Sequence, residues 1–414
     1  LVSSPGKLRP RERIRAALEH RTPDRVPLDI GGTDITGIHV STYLKLRAAL
    51  GLPTTTPKAY DTFQMLAEFE DDLRRAIGVD VIGLALPYTV FGYRNEGWKP
   101  FRMPDGTDVL VSRNFVADAL PDGSLVQFPQ ADRTCLPSGR MARDGFYFDL
   151  LYRQPAFSEE SLDACRWVDE TYRLCRDEDL RYLEEQSRYL SANTDYAVVA
   201  DLNPAGFGGF VALVAPHVRR PTGIRNPEEF WMSYLGRKSH IQDIFSYQSE
   251  LQMKNLKMYR QALGDRIDVI IMCKTDFGMQ NGPIIAPEIY RDLFKPLHRK
   301  MNDWVHENTN WKTFFHTCGD VSLLLPDFVE AGLDVLNPVQ ISASNMDPAH
   351  LKDAYGDKLV FWGGGVSTQT TLAFGTREQV EEEVSRNLEI FGNGGGFVFA
   401  PDQNVQPAVR IENL

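Results

Sequence analysis

Eight short apolar runs, most of them preceded by an amphipathic helical stretch, constrain this chain more than any other feature. They centre near positions 28, 82, 199, 270, 315, 336, 361 and 398. Strand alternating with helix implies a parallel sheet, because a crossover helix must carry the chain back before the next parallel strand. Eight such units in one chain of 414 residues point to a closed (β/α)8 barrel. An open dinucleotide-binding sheet is disfavoured. The glycine runs at 363–365 and 394–396 lack the GxGxxG spacing that opens a phosphate-binding helix.

Residues 88–150 interrupt the alternation. Short β-type runs there are separated by Asp105-Gly106, Asp122-Gly123 and Asp144-Gly145, each a tight-turn signal. The expected organisation is one barrel domain over 1–414, with 88–150 an antiparallel β-hairpin insertion lying over the barrel after an early strand. Helices are expected near 42–51, 62–76, 160–190 and 227–263, and a Thr-x-x-Gln capping box at Thr376 opens another.

Charge and composition exclude several classes. A net charge of -11 and no Lys/Arg-rich block argue against nucleic acid as a partner. No apolar run approaches the roughly 18–20 residues a membrane-spanning helix needs, and no signal-like apolar segment follows the N-terminus. The five cysteines are an odd, dispersed set, which fits reduced thiols rather than a disulfide framework. The expectation is a cytoplasmic enzyme.

In a barrel the active site lies at the C-terminal ends of the strands. The polar residues that directly follow each apolar run are therefore the candidates. Asp34 and Asp276 are read as catalytic carboxylates. Asn203, Gln280, Asn337, Gln340, Trp362, Gln403 and Asn404 are read as substrate-binding groups. His240, His298 and His306 fall in helical text and are expected on outer faces, and His39 could approach the mouth.

His316-Thr317-Cys318 is the sharpest constellation. On a strand, residues i and i+2 point to one side, so imidazole and thiol reach the same spot. That pair suits Zn2+, whose catalytic sites use three protein ligands and leave one position open. From spacing alone, a buried cysteine packing beside a hydrogen-bonded histidine is the favoured reading and metal the minority one. Asp402 and Asp276 are both placed to act as a third ligand.

Several long segments are also familiar in order. RERIRAALEHRTPDRVPLDIGG, TDFGMQNGPIIAPEIYRDLFKP, HTCGDVSLLLPDFVEAGLDVLNPVQ and KLVFWGGGVSTQTTLAFG, with GGGFVFAPDQNVQP, resemble the uroporphyrinogen decarboxylase superfamily. The resemblance implies a (β/α)8 barrel. The true decarboxylases of that superfamily use no metal and carry an arginine-bearing QAGR segment, where this chain reads DIGGTDITG, and a strand-eight histidine, where it reads APDQN.

The resemblance is closer to the corrinoid-linked methyltransferases, which bind zinc through an H-x-C pair and a further ligand, often a last-strand cysteine. His316 and Cys318 match the pair. The last-strand cysteine is absent, and Asp402 is taken as its substitute, with Asp276 the alternative. The resemblance thus implies a zinc-dependent O-demethylase that moves a methyl group from a small methylated substrate to cobalamin on a separate corrinoid protein. A homodimer is compatible with it. The alternative it leaves is a metal-independent decarboxylase or lyase acting on a carboxylated small molecule or tetrapyrrole.

Overall fold

Seven strands lie side by side in chain order: Val81–Ala85, Ala197–Asp201, Val269–Cys273, Lys312–His316, Val335–Asn337, Val360–Trp362 and Phe397–Val398. Each is parallel to the next. The computed structural model that shows this describes residues 7–202 and 206–414. The segment around Leu28 closes the ring. Leu28 bridges Phe399 in parallel, and the Phe399 N–H donates to the Pro27 carbonyl at 2.8 Å. On its other side, the Asp80 N–H donates to the Leu28 carbonyl at 2.9 Å. All eight apolar runs of the sequence are therefore barrel strands. The fold class is a (β/α)8 barrel, as expected.

These strands are apolar on both faces because both faces are covered. Val81, Val199, Val269, Ile271, Phe314, Val335, Val360 and Trp362 fill the interior, with Ile14, Ala17 and Leu18 of the helix Pro10–Leu18 packed beneath them. The alternate residues, including Val198, Ile270, Phe315, Leu336 and Phe361, pack outward against the helices. Arginines hold the N-terminal helix to the barrel floor. Arg13 reaches Asp80 at 2.6 Å and Asp24 at 2.7 Å, and Arg15 reaches Asp268 at 2.7 Å.

The insertion is antiparallel. Trp98–Arg102 pairs with Asp108–Ser112, and Ala117–Ala119, Leu125–Gln127, Gly139–Met141 and Asp149–Leu150 form a four-stranded sheet. The three Asp-Gly pairs sit in its turns. Gly106 and Gly123 take φ of 86° and 83°, so the glycine alone uses the left-handed region.

Helix boundaries depart from expectation where local competition is strong. The helix expected over 62–76 is only Asp71–Ile77. Ahead of it, Asp61 accepts from the Phe63 and Gln64 N–H groups and turns the chain into the short strand Leu66–Ala67, paired with Ala59–Asp61. The stretch 160–190 is two α-helices, Ala164–Thr171 and Asp177–Asn193. The stretch 227–263 divides after Gly236 into Pro227–Gly236 and Lys238–Leu263. The capping box at Thr376 is present, with Gln379 as its reciprocal partner. Among the described residues, no helix is long and apolar enough to cross a membrane.

His298 is a correction. It lies on the inner face of Lys295–Asn308 and is fully buried among Phe207, Phe277, Tyr290 and Phe315. Burial holds its imidazole down at about 3. His39 is likewise buried. It caps the helix Val40–Ala49 through Nδ1, and its Nε2–H faces the Phe146 carbonyl at 3.0 Å.

Candidate metal centre at the barrel mouth

The strand Lys312–His316 ends at the histidine, and the chain continues through Thr317 to Cys318 with the alternation preserved. Thr317 points the opposite way. It is buried, and its hydroxyl accepts the Phe277 N–H at 2.9 Å. His316 and Cys318 therefore share a side, with Nε2 and Sγ 3.5 Å apart. Thr317 also ties this loop to the one that follows Val269–Cys273.

Two glycines bring those loops backbone to backbone. The Gly278 N–H donates to the Cys318 carbonyl at 3.1 Å, and the Asp320 N–H donates to the Met279 carbonyl at 2.8 Å. A Cβ on Gly319, whose φ is +83°, would lie 2.3 Å from the Gly278 carbonyl carbon. Only a residue without a side chain allows this approach. Its consequence is chemical: Asp276 is carried to the thiol, and its Oδ1 accepts the Cys318 N–H at 2.9 Å.

One ligand atom from each of Asp276, His316 and Cys318 lies within 4.8 Å of the others. The surroundings suit a cation. His316 Nδ1 lies 2.6 Å from Asn337 Oδ1, so Nδ1 carries the hydrogen and the Nε2 lone pair is free. Burial pushes the His316 imidazole down and, with Asp276 beside it, the Cys318 thiol well up. Without metal the pair is neutral. A bound Zn2+ would displace the thiol proton and complete a nitrogen–sulfur–oxygen set of three, with one position open. The residues present fit the ion.

The other candidates divide. Gln403 Nε2 donates to Cys318 Sγ at 3.0 Å and belongs to the site. Gln340 accepts the Gly319 N–H at 2.8 Å and meets Gln280 at 3.1 Å, bracing the loop that carries the cysteine. Asn337 orients His316, and its amide also donates to the Trp362 carbonyl at 2.8 Å. Asn404 holds the loop after the first strand, accepting from the Gly37 N–H at 2.5 Å and donating to the Asp34 carbonyl at 2.7 Å. Asn203 lies outside the described residues.

Two assignments change. Asp402 is not in the donor cluster. Its Oδ1 accepts from both the N–H and the hydroxyl of Thr368, each at 2.7 Å, which turns the carboxylate toward the loop after Val360–Trp362. Burial pushes that carboxyl up to about 6. Trp362 is a core residue with no exposed surface, its indole N–H donating to Asp29 at 2.8 Å inside the barrel.

Beside the donor cluster is a second charged group. Lys274 Nζ lies 2.8 and 3.1 Å from the two Asp34 oxygens and also bonds Asp201. Burial raises the Asp201 carboxyl to about 6 and outweighs the Lys274 charge. For Asp34, burial is outweighed by Lys274 and by the neighbouring Asp201, and its carboxyl is lowered. Asp61 and Tyr60 adjoin the same group. Asp201 was legible from the sequence as a polar residue at the end of its strand, without an assigned role; Lys274, Asp61 and Tyr60 were not among the residues read from sequence. The signal available was the polar pair Lys274 and Asp276 just past the end of Val269–Cys273.

Known proteins place this geometry in context. The profile of the Uroporphyrinogen decarboxylase (URO-D) family matches residues 257–414, the stretch that carries Asp276, His316 and Cys318. The URO-D stretch runs from the end of a long helix through the last five barrel strands. Over the whole barrel the chain is similar in structure to a methyltransferase from Methanosarcina mazei, with a TM-score of 0.53 and 17% sequence identity. The superposition covers 98% of this chain and 96% of that one. No curated protein sequence matches the chain.

Proposed function

We propose that this chain is a zinc-dependent methyltransferase that removes a methyl group from a small methylated substrate, an ether oxygen being the favoured donor atom. The observation that carries the reading is the donor set of Asp276, His316 and Cys318, whose ligand atoms come within 4.8 Å of one another. The barrel it shares with a Methanosarcina mazei methyltransferase supports the same reading. Asp276, His316 and Cys318 would hold the ion, Asn337 would keep the imidazole in the ligating tautomer, and Gln403 would hold the sulfur. Bound zinc supplies a Lewis acid that polarises a substrate heteroatom. The methyl acceptor is a reduced corrinoid delivered by a separate protein at the barrel mouth.

The URO-D profile also suggests a metal-independent decarboxylase acting on a carboxylated substrate. Such a site needs a cation free to grip the carboxylate. Lys274 at this mouth is already paired with Asp34 and Asp201.

The test combines metal and activity. Protein prepared without chelator is expected to carry one zinc per chain and to transfer methyl from an aryl methyl ether to free reduced corrinoid. His316→Ala is expected to lose both. Release of CO2 from a carboxylated substrate by zinc-free protein, with His316→Ala unimpaired, would overturn the proposal.

A further inference from the structure

We infer that Asp34 and Asp201, bridged by Lys274, form a proton-donating pair that protonates the leaving heteroatom as the methyl group departs; this rests on the methyl-transfer reading above. Three separate strand ends converge to build the pair. Asp34 follows the first strand, Asp201 ends Ala197–Asp201, and Lys274 directly follows Val269–Cys273. Both carboxyl groups bond the single Lys274 ammonium, which brings them together at one point. Both belong to the mouth. Lys274 is two residues from Asp276, and the Asp34 carboxylate is among the charges acting on His316.

The arrangement differs from the Arg13–Asp80 ion pair of this barrel. At its floor, Arg13 and Asp80 are almost wholly buried, with side chains 3% and 0% exposed. At the mouth, Asp34 is 38% exposed and Lys274 28%. One ammonium faces two carboxyl groups, which leaves room for a proton on one of them. The groups facing the pair are Lys274, His316, Asp61 and Tyr60. The Tyr60 hydroxyl is buried and has no hydrogen-bond partner among the described residues. It is a polar atom left for a ligand in the same recess.

The step balances as follows. The bond between methyl carbon and ether oxygen breaks with its electron pair remaining on oxygen. The methyl carbon accepts an electron pair from the nucleophilic acceptor, a reduced corrinoid. The oxygen takes the proton of Asp201 and leaves as an alcohol or phenol. The carboxylate formed is stabilised by Lys274, and the half-exposed Asp34 offers the route by which a proton returns from solvent.

Asp201→Asn and Lys274→Met are compared with the wild type using two probes, 4-nitroanisole and 4-methylanisole, with free reduced corrinoid as acceptor. The nitrophenolate leaves without help from an acid. The cresolate, a much stronger base, needs one. Asp201→Asn is expected to lose about 100-fold or more with 4-methylanisole and about 3-fold or less with 4-nitroanisole, at unchanged zinc content. Independently of turnover, the infrared difference titration of wild type minus Asp201→Asn is expected to show a carboxylic C=O band with a midpoint at about 6, moved to higher pH when both proteins carry Lys274→Met. Equal losses on both probes, or a difference titration without that band, would overturn the inference. A wild type that binds zinc but transfers methyl from neither probe would sink the methyl-transfer reading, and this role with it, even with the infrared titration as expected.

Discussion

His316 Nδ1 and Asn337 Oδ1 lie 2.6 Å apart across neighbouring parallel strands, in register at the point where both strands end. The contact keeps the ring nitrogen that faces Cys318 unprotonated. Asn337 is held in turn by the Trp362 carbonyl. Replacing Asn337 with Ala is expected to leave the fold intact and weaken zinc binding about 10- to 100-fold, the usual effect of losing the partner of a ligating histidine. Competition titration with a zinc chelator measures it.

The third ligand is open to a paired comparison. Asp276→Ala removes the oxygen donor together with the acceptor for the Cys318 N–H, so zinc stoichiometry is expected to fall. Asp402→Asn is expected to retain zinc, because Asp402 faces Thr368. The reverse pattern would restore Asp402 as the ligand.

The glycine contact is expected to be as sensitive as the ligands. Gly319→Ala places a Cβ 2.3 Å from the Gly278 carbonyl carbon at a φ of +83°. Backbone strain of this kind costs about 1–3 kcal/mol. The expected outcome is a lower melting temperature together with loss of zinc, since the strain separates Asp276 from Cys318. Calorimetry and metal analysis of the same sample check it.

Acid stability follows from the buried histidines. His39 is held down at about 4 and His298 at about 3, both by burial. An unfolded histidine titrates near 6.5. Between that value and the folded one, the unfolded chain binds more protons, so stability rises with pH. It is fully present above about 6.5 and is lost as pH falls toward 4 and 3. The midpoint of urea unfolding is expected to drop over that range. In His298→Leu, which cannot titrate, the dependence on pH is expected to be shallower.

Much of the barrel was legible in the sequence because strands buried on two faces must be continuous apolar runs. All eight runs became strands, including the one around Leu28, which closes the ring by isolated pairing. The shared side of His316 and Cys318 was legible for a related reason, since alternation survives past the strand end. What the sequence concealed depends on how loops lie across one another. Asp276 and Asp402 both follow a strand, and only the Gly278–Gly319 contact selects the first. Trp362 looked like a pocket residue because it ends a strand, yet the barrel interior is wide enough for an indole paired with Asp29. Lys274 and Asp201 meet across two strands, a relation no spacing in the chain encodes. His298 falls on the inner face of a helix whose aromatic neighbours come from four other segments.

X-ray absorption at the zinc edge, on protein purified without chelator, tests the metal centre most directly. The expected spectrum shows one sulfur near ~2.3 Å and the remaining ligands nitrogen or oxygen near ~2.0–2.1 Å, at one zinc per chain. The sulfur shell is expected to vanish in Cys318→Ser. Absence of stoichiometric zinc, or a spectrum unchanged by Cys318→Ser, would contradict a centre built from Asp276, His316 and Cys318.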